Sequence, residues 1–347
     1  MQVGTERSIG RSGLRVSALG FGGAPLGDLY ARLDDETAIA TVASAHAAGI
    51  RLFDTSPHYG NGLSEHRFGT ALRRVPRDGF VLSTKVGRRM DPMLRDGTED
   101  GPRLGAASPG FAGGLPHRPV FDYSRDGALC SFEQSLLRLG VERIDVLLIH
   151  DVDAWTHGAD RVEGRFREAM DGAYRALDDL RAQGVVPAIG VGLNDAGMCA
   201  RFAQAGDFDC MLLAGRYSLL EQPALDEFLG LAERKGIAVL LGGVFNSGIL
   251  ATGPREGARY NYAPAGPGIL ERVRRIERVC AAHRVALADA ALRFPFGHPA
   301  VASVVIGAVA PEEVWRNVAS LERPIPPALW ADLKHEGLLR ADAPVPG

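Results

Sequence analysis

Four side chains that can exchange or hold a proton lie at, or shortly after, the ends of three apolar stretches of this 347-residue sequence. They are Asp54, Tyr59, Lys85 and His150, and the stretches are 49–53, 80–85 and 144–150. Each stretch has the length and apolarity of a buried β-strand. The carboxyl ends of parallel strands meet on one face of a sheet or barrel, where α/β enzymes carry their chemistry. We therefore predict that the four side chains share one site.

Each of the four residues also has an ordinary structural interpretation. Asp54 could cap a helix, Tyr59 could be a surface aromatic ring, and Lys85 could extend from a strand end towards water. A single histidine such as His150 is more often a hydrogen-bonded structural residue than a catalyst. Four reactive groups at matched strand ends are harder to explain in this way, which favours a catalytic interpretation.

Together the four groups are suited to proton transfer. A free tyrosine has a pKa near ~10 and exchanges protons poorly at neutral pH. An ammonium group close to Tyr59 would lower its pKa by roughly 1–3 units, and a buried Lys85 would need Asp54 as its counter-ion. His150 can donate to a substrate oxygen and position its carbon. This set predicts acid–base chemistry at a carbonyl or carbinol carbon, with a separate hydride carrier and no metal.

Composition narrows the class of protein. Hydrophobic residues make up 46% and charged residues 23% of the chain, as in an ordinary globular protein. A formal net charge of −3 argues against nucleic acid or an anionic membrane as a partner. The amino terminus lacks the apolar segment of a signal peptide, and the four cysteines show no metal-binding spacing. We expect one cytoplasmic domain over residues 1–347, and the oligomeric state stays open.

The chain alternates apolar stretches with segments of helical periodicity. Glycines split the short segments of residues 5–20, which predicts a hairpin at the bottom of a barrel. Asp34 or Asp35 is expected to cap the first helix, which Gly49 would stop. Eight strand–helix alternations favour a closed α/β barrel, (β/α)8, over an open sheet. The stretch after residue 324 predicts a helical tail on the outside of the barrel.

The segment 86–125 interrupts this alternation. It has no periodicity and is rich in Gly, Pro and Arg, including Arg88 and Arg89. A loop of this length in a compact domain is usually a lid, a binding loop or a disordered segment. Because it follows the strand that ends at Lys85, we expect it to overhang the active site as a lid, with partial disorder as the alternative.

Three motifs give this chain a recognisable pattern. They are GIRLFDTSPHYG at 49–60, STK at 83–85 and LLIH at 147–150. In this order they resemble the aldo-keto reductases, and the resemblance extends over nearly the whole chain. Further segments resemble the bacterial aldose 1-dehydrogenase branch, which includes the L-fucose, D-threo-aldose and L-galactose dehydrogenases. These segments are FDYS at 121–124, SFEQSL at 131–136, HDVD at 150–153 and AGRY at 214–217.

The resemblance implies a TIM barrel with Asp54, Tyr59, Lys85 and His150 as its catalytic tetrad. It also implies a nicotinamide cofactor bound by ten residues. These are Gly23, Asn194, Gly243, Phe245, Ser247, Gly248, Leu250, Gly307, Glu313 and Asn317. The glycines of 20–23 do not form a dinucleotide-fold motif, and we attribute them to close approach of the backbone to the cofactor.

The chain departs from the family pattern at positions that touch the cofactor. Leu193 stands where serine is usual, and Ala214 stands where glutamine is usual. No tyrosine ends the stretch 238–242, where one normally stacks on the nicotinamide, so that contact is left open. Val309 stands where NADP-using relatives have a basic residue, which predicts NAD rather than NADP.

We expect oxidation of an aldose at C1 to its lactone, of the L-fucose or D-threo-aldose type. Asp151 and Trp155, just past His150, are placed to meet the sugar, although they could equally be surface residues. The first alternatives are an aldehyde reductase and a pyridoxal 4-dehydrogenase. A non-enzymatic alternative is a cofactor-binding regulatory subunit on the same barrel, which an intact tetrad argues against.

Overall fold

The computed structural model describes residues 1–93 and 110–347, and its centre is a closed barrel of parallel strands. The strands, in chain order, are β1 (Glu6–Ser8), β2 (Arg15–Ser17), β3 (Leu19–Gly22), β4 (Leu52–Asp54), β5 (Val81–Val86), β6 (Arg88–Pro92), β7 (His117–Phe121), β8 (Val146–His150), β9 (Ala188–Leu193), β10 (Cys210–Ala214), β11 (Ala238–Gly242), β12 (Arg259–Tyr260), β13 (Ala263–Pro264) and β14 (Val301–Ile306). Around the barrel the order is β10, β11, β14, β3, β4, β5, β8 and β9. The predicted (β/α)8 barrel is confirmed, and the carboxyl ends of its strands lie on one face.

Helices surround this barrel. In chain order they are α1 (Asp35–Ala47), α2 (Leu63–Leu72), α3 (Arg125–Leu139), α4 (Ala154–His157), α5 (Val162–Glu168), α6 (Tyr174–Ala182), α7 (Ala196–Ala205), α8 (Phe228–Lys235), α9 (Ile249–Thr252), α10 (Pro267–Ala282), α11 (Leu287–Arg293), α12 (Pro311–Glu322) and α13 (Pro327–His335). Asp34 caps α1 by accepting the Thr37 amide at 2.8 Å, and Gly140 ends α3 at a φ of 59° that favours glycine. Because these caps depend on single residues, such helix ends can be predicted from the sequence.

Strands β1 and β2 form the expected amino-terminal hairpin, which is antiparallel. Ile9 and Val16 of this hairpin are buried in one apolar cluster with Val81, Val146 and Ala238, the first residues of three barrel strands. The hairpin therefore fills the amino end of the barrel. Burial of this apolar surface leaves the opposite, carboxyl end as the place for a ligand.

The ends of segment 86–125 are more regular than the sequence predicts. Strands β6 and β7 pair antiparallel, with Arg88 opposite Phe121 and Pro92 opposite His117. The expectation of an irregular loop is therefore wrong for these two ends. Hydrogen bonds between the two strands hold them together, and the residues of such strands need not show helical or alternating hydrophobicity. The part from 94 to 109 lies outside the described residues, so its function as a lid stays a prediction.

A π-helical turn at Ala169–Ala173 joins α5 to α6. At this turn the Ala173 amide donates to the carbonyl oxygen of Tyr123 at 2.8 Å, and a Cβ on Gly172 would lie 2.5 Å from the same oxygen. The bulge thus makes room for Tyr123, whose hydroxyl donates to the carbonyl oxygen of His150 at 2.7 Å. Packing outside the barrel in this way fixes the end of β8.

The carboxyl-terminal tail contains α13, which packs on α10 and buries Trp330 and Leu333. This agrees with the helical tail expected outside the barrel. Among the helices of the described ranges, none is both long and apolar enough to cross a lipid bilayer.

Candidate active site

The carboxyl ends of three neighbouring barrel strands bring together Asp54, Lys85 and His150. Strands β4, β5 and β8 are adjacent in the barrel, and these residues lie at or next to their last positions. The Lys85 ammonium donates to Asp54 Oδ2 at 2.8 Å and to the carbonyl oxygen of Thr55 at 2.7 Å, with 1% of its side chain exposed. Ser83 donates to the other oxygen of Asp54 at 2.8 Å. Asp54 is thus the buried counter-ion of Lys85.

Tyr59 lies on the turn after β4 and completes the cluster. Lys85 Nζ is 4.8 Å from the centroid of the Tyr59 ring, and the His150 ring centroid is 6.0 Å from it. The ammonium has three N–H groups, of which two reach Asp54 and Thr55. One N–H group of Lys85 therefore stays available near Tyr59. The structure brings all four residues of the predicted tetrad into one cluster.

The expectation that the pKa of Tyr59 is lowered by Lys85 is wrong. Burial raises the pKa of Tyr59 well above 10, and the carboxylates of Asp54 and Asp151 raise it further, while Arg88 acts in the opposite direction. The sequence showed the nearby ammonium but not the loss of water or the second carboxylate. Tyr59 is therefore a protonated phenol at neutral pH and can donate a proton.

His150 is neutral and its proton can be located. Its Nδ1 lies 3.2 Å from Arg88 Nη1 and 3.2 Å from Ser56 Oγ, and because a guanidinium only donates, Nδ1 is the acceptor. Burial, followed by the charges of Arg88 and Lys85, lowers the pKa of His150 well below 6.5. The single ring proton therefore lies on Nε2. That proton is the one a substrate oxygen could accept.

A cavity of about 560 Å³ opens beside the tetrad. The predicted residues that line it are Gly23, Asp54, Tyr59, Trp155, Asn194, Gly243, Phe245, Ser247, Gly248, Gly307, Glu313 and Asn317. Lys85, His150 and Asp151 are not part of its wall, and His150 keeps 7% of its surface exposed. Leu250 is fully buried in the apolar core and does not line the cavity, so its side chain is not available to a cofactor. Helical periodicity in α9 turns Leu250 inwards, which the motif alone did not reveal.

The loop after β11 has the backbone of a ligand-binding segment. Four of its six residues have positive φ angles: Gly243 (63°), Asn246 (46°), Ser247 (61°) and Gly248 (98°). Positive φ is unfavourable for Asn and Ser, and such strain is concentrated at ligand-binding sites. This loop lines the same cavity as Tyr59 and Asn194, and the cavity volume lies in the range of small-molecule binding sites.

Two glycines that line the cavity are required for packing. A Cβ on Gly23 would lie 2.4 Å from Ser64 Oγ and 2.8 Å from the Phe68 ring, both on α2. A Cβ on Gly307 would lie 2.6 Å from Pro25. Side chains at these positions would strike protein atoms, so packing requires glycine at both, and their contact with a cofactor stays a prediction.

The far end of the cavity is formed by the amino-terminal half of α12. Glu313, Arg316 and Asn317 line it, and the Val309 amide donates to Glu313 Oε2 at 2.9 Å. Val309 is 40% exposed and carries no charge. Glu312 and Glu313 lie in the first helical turn, where they already occupy the favourable position for negative charge.

Aromatic rings that sequence reasoning did not assign also line the cavity. Tyr30 and Tyr262 join Trp155 on its wall. Asn261 and Tyr262 connect β12 to β13 with φ angles of 47° and 65°, and the Tyr262 amide donates to Ser247 Oγ at 2.9 Å. Positive φ at both residues is what a two-residue hairpin turn requires, although a bulky aromatic residue is uncommon there. No sequence pattern pointed to Tyr262, whereas its neighbour Asn261 is a common residue in such turns.

Known proteins resemble this chain over nearly its full length. Pyridoxal 4-dehydrogenase of Microbacterium luteolum is 43% identical over 342 residues, covering 98% of this chain and 99% of the relative. D-threo-aldose 1-dehydrogenase of a Pseudomonas species is 38% identical over 336 residues, covering 96% and 98%. L-galactose dehydrogenase of Arabidopsis thaliana is 27% identical, covering 91% and 87%.

The fold comparison agrees with this result. A holo-form aldo-keto reductase of Bacillus halodurans superimposes with a TM-score of 0.73 at 24% identity, covering 97% of both chains. The profile of the Aldo/keto reductase family matches residues 18–335, which include the whole barrel and the cluster around Tyr59. This chain therefore belongs to the aldo/keto reductase family.

Proposed function

We propose that this protein is a NAD-preferring dehydrogenase that oxidises the hemiacetal carbon of an aldose to a lactone. The observation that carries the proposal is the cluster of Tyr59, the buried Lys85–Asp54 pair and neutral His150 beside a cavity of dinucleotide size. None of these groups needs to form a covalent intermediate, and together they suit proton exchange with a substrate oxygen. A nicotinamide cofactor, when bound, supplies the hydride acceptor.

The proposed roles follow from the contacts. Tyr59 exchanges the proton of the substrate oxygen because it lies on the cavity wall near Lys85 and, unlike Asp54, is not held in an ion pair. Lys85 provides positive charge beside the Tyr59 ring, and Asp54 keeps that charge paired. His150 donates its Nε2–H to the substrate oxygen and so orients the hemiacetal carbon. Asn194 and the loop 243–248 would hold the cofactor, with Glu313 and Asn317 at its far end.

The relatives favour a substrate that exists as a cyclic hemiacetal. Two of them are named for aldose or galactose oxidation and one for pyridoxal oxidation. Aldoses and pyridoxal share a chemical feature, an aldehyde that can close on a hydroxyl group of the same molecule. Oxidation of that ring form at the former aldehyde carbon gives a lactone in both cases. The D-threo-aldose and L-fucose configurations are the sugars we propose first.

Pyridoxal is the second candidate, and a specific observation favours it. Tyr30, Trp155 and Tyr262 line the cavity, and rings of this kind provide flat apolar surface for a planar aromatic substrate. The same rings could stack on the apolar face of a sugar. The choice between the two therefore depends on measurement of turnover.

The cofactor and the cellular location belong to the same proposal. Uncharged Val309 and the carboxylates of Glu312 and Glu313 favour a ribose hydroxyl over a 2′-phosphate, which supports NAD. Arg316 also lines the cavity and is the main competing feature, because it could pair with that phosphate. All four cysteines are free thiols, in keeping with a reducing, cytoplasmic location.

The decisive experiment is a substrate panel. Purified protein is assayed for reduction of NAD and NADP with L-fucose, D-threo-aldoses, L-galactose, pyridoxal and simple aldehydes, and the product is identified as lactone or free acid. Turnover with an aldose above pyridoxal supports the first proposal, and the reverse order supports the second. Binding of the cofactor by calorimetry without turnover of any compound would instead favour a regulatory subunit.

A further inference from the structure

Arg88 is a buried cation next to the proposed substrate-binding histidine. It is 3% exposed, and its Nη1 lies 3.2 Å from His150 Nδ1. Its Nη2 donates to Asp151 Oδ2 at 2.8 Å, and its guanidinium lies 4.3 Å from the centroid of the Phe121 ring. A buried arginine with this many directed contacts is expensive to desolvate, so its position is specified by the fold.

The contacts of Arg88 decide which nitrogen of His150 carries the proton. A guanidinium has no acceptor, so the Nη1 contact can form only when Nδ1 is a bare lone pair. Ser56 acts in the same sense, since its Oγ accepts the His58 amide at 3.1 Å and has its own proton to donate to Nδ1 at 3.2 Å. With Nδ1 occupied by donors, the proton of the neutral ring lies on Nε2.

Asp151 connects the two sides of the histidine. Its Oδ2 pairs with Arg88, and its Oδ1 lies 3.4 Å from His150 Nε2. Its backbone has a φ of 55°, which is unfavourable for aspartate and leaves its amide donating to Gly192 at 3.0 Å. Oδ2 is thus committed to Arg88, and the nearby negative charge of Oδ1 favours a proton on Nε2 of His150. Contact between Asp151 and sugar hydroxyls stays a prediction.

We propose that Arg88 and Asp151 are positioning residues that hold His150 in the Nε2–H tautomer, so that it can act as a hydrogen-bond donor. Arg88 belongs to β6 and stacks on Phe121 of β7, and its contacts with His150 and Asp151 tie this hairpin to the end of β8. The inference rests on the role proposed for His150 as the residue that orients the substrate. It assigns a function to the first residues of segment 86–125 beyond that of a covering loop.

Other charged groups also face His150 and must be separated from the effect of Arg88. Lys85 and Arg88 carry positive charge on β5 and β6, Asp151 carries negative charge after β8, and Asp54 pairs with Lys85. The rings of His58 and Tyr59 lie 6.2 and 6.0 Å from the His150 ring. Only Arg88 and Ser56 contact Nδ1 among the hydrogen bonds of the described residues, and only Arg88 is charged.

The chain offers a matched control for this arginine. Arg89 is the next residue of the same strand, and it pairs with Asp91 at 2.6 Å and with Asp122 at 3.3 Å. Its side chain is 36% exposed, and its carboxylate partners lie outside the tetrad. Arg89→Met therefore tests for a general effect of removing a positive charge from this hairpin. Arg88→Lys tests whether charge alone is enough, because lysine lacks the planar fork that reaches two partners.

The experiment reads the His150 ring directly by nitrogen NMR of protein with ¹⁵N-labelled histidine. His150→Gln identifies the His150 signals among those of the nine histidines. In the wild type we expect one protonated nitrogen, Nε2, and one bare nitrogen, Nδ1, across neutral pH. In Arg88→Met we expect the Nδ1–H tautomer to appear and the protonation midpoint to move upwards. Arg89→Met should leave both signals unchanged.

Turnover provides the second measurement. We expect Arg88→Met to lower kcat by about 10- to 100-fold, the usual cost of losing a partner that orients a functional histidine, with a smaller change in KM. Arg88→Lys should recover part of kcat, and Asp151→Asn should lower kcat without abolishing folding. A wild-type Nδ1–H tautomer, an Arg88→Met spectrum like the wild type, or equal effects from Arg89→Met would each overturn the inference. Because the NMR measurement needs no substrate, a failed substrate panel does not affect it.

Discussion

The buried ion pair between Lys85 and Asp54 provides the sharpest test of how this site is built. Its side chains are 1% and 4% exposed, and the Nζ–Oδ2 distance is 2.8 Å. Asp54→Asn preserves the shape of the side chain and an oxygen that can still accept from Ser83, but it removes the negative charge. The variant therefore leaves the Lys85 ammonium buried with the carbonyl oxygen of Thr55 as its remaining partner.

The expected loss in the free energy of unfolding follows from the depth at which the Lys85–Asp54 pair is buried. Removing one partner of a buried pair costs about 3–5 kcal/mol, because the other charge is left without compensation. The same change in an exposed pair costs about 0–1 kcal/mol. Arg125 and Asp179 form such a pair, 3.0 Å apart with 52% and 53% of their side chains exposed. Asp179→Asn is therefore the control for removal of one carboxylate from an ion pair.

The assay is equilibrium unfolding in urea, followed by circular dichroism and tryptophan fluorescence, of the wild type and four variants. These are Asp54→Asn, Lys85→Met, the double variant, and Asp179→Asn. We expect each single change at the buried pair to lower the free energy of unfolding by about 3–5 kcal/mol. The double variant should lose less than Asp54→Asn alone, because no unpaired charge remains.

Two outcomes would refute this reasoning. If Asp54→Asn lay within about 1 kcal/mol of the wild type, the pair would behave as an exposed one and the barrel end would be wetter than the structure indicates. If the two single losses simply added in the double variant, Lys85 and Asp54 would not be coupled. Either result would remove the physical basis for calling Asp54 the counter-ion of Lys85.

Three further predictions concern chemistry rather than stability. Tyr59→Phe should lower kcat by about 10²–10⁴-fold while cofactor affinity, measured by fluorescence quenching, changes little; retained turnover would exclude Tyr59 as the acid–base group. Because burial and nearby carboxylates raise the pKa of Tyr59, its ¹³Cζ signal in the ligand-free protein should show no phenolate up to pH 10, and a transition below that value would contradict the structure. Wild-type kcat/KM should favour NAD over NADP by at least about tenfold, a ratio that Val309→Arg should lower, and a wild-type preference for NADP would make Arg316 the phosphate partner.

Much of the architecture could be predicted from the sequence, because the local signals for strands and helix ends agree with the overall fold. The apolar stretches at 80–85 and 144–150 became the barrel strands β5 and β8, and Asp34 marked the start of α1 through capping chemistry. The tetrad was predictable for the same reason, since parallel strands deliver their last residues to one face. Strand boundaries moved by one to three residues, as at Leu52–Asp54, because pairing with neighbours decides them.

What the sequence did not reveal depends on contacts between distant segments. Arg88 was one arginine among several in a segment without periodicity, and its meaning came from its distance to His150. Tyr262 follows an ordinary turn residue, and only its positive φ and place on the cavity wall distinguish it. Leu250 matched a family motif, yet its side chain belongs to the core. Spacing predicts where a backbone goes better than where each side chain points.

The positions of the protons on His150 and Tyr59 affect oxidation and reduction differently. Nδ1 of His150 accepts from Arg88, so this ring cannot readily take a second proton, and Tyr59 is left as the group that exchanges one. Burial raises the pKa of Tyr59, so at neutral pH the ligand-free site carries the phenol that carbonyl reduction needs. Oxidation of a hemiacetal requires the phenolate, whose fraction falls tenfold for each pH unit below the pKa. The N–H group of Lys85 that is not used by Asp54 or Thr55 is the group in the site best placed to stabilise that phenolate. Lactone formation should therefore increase from neutral to alkaline pH while aldehyde reduction does not, and Lys85→Met should slow oxidation more than reduction.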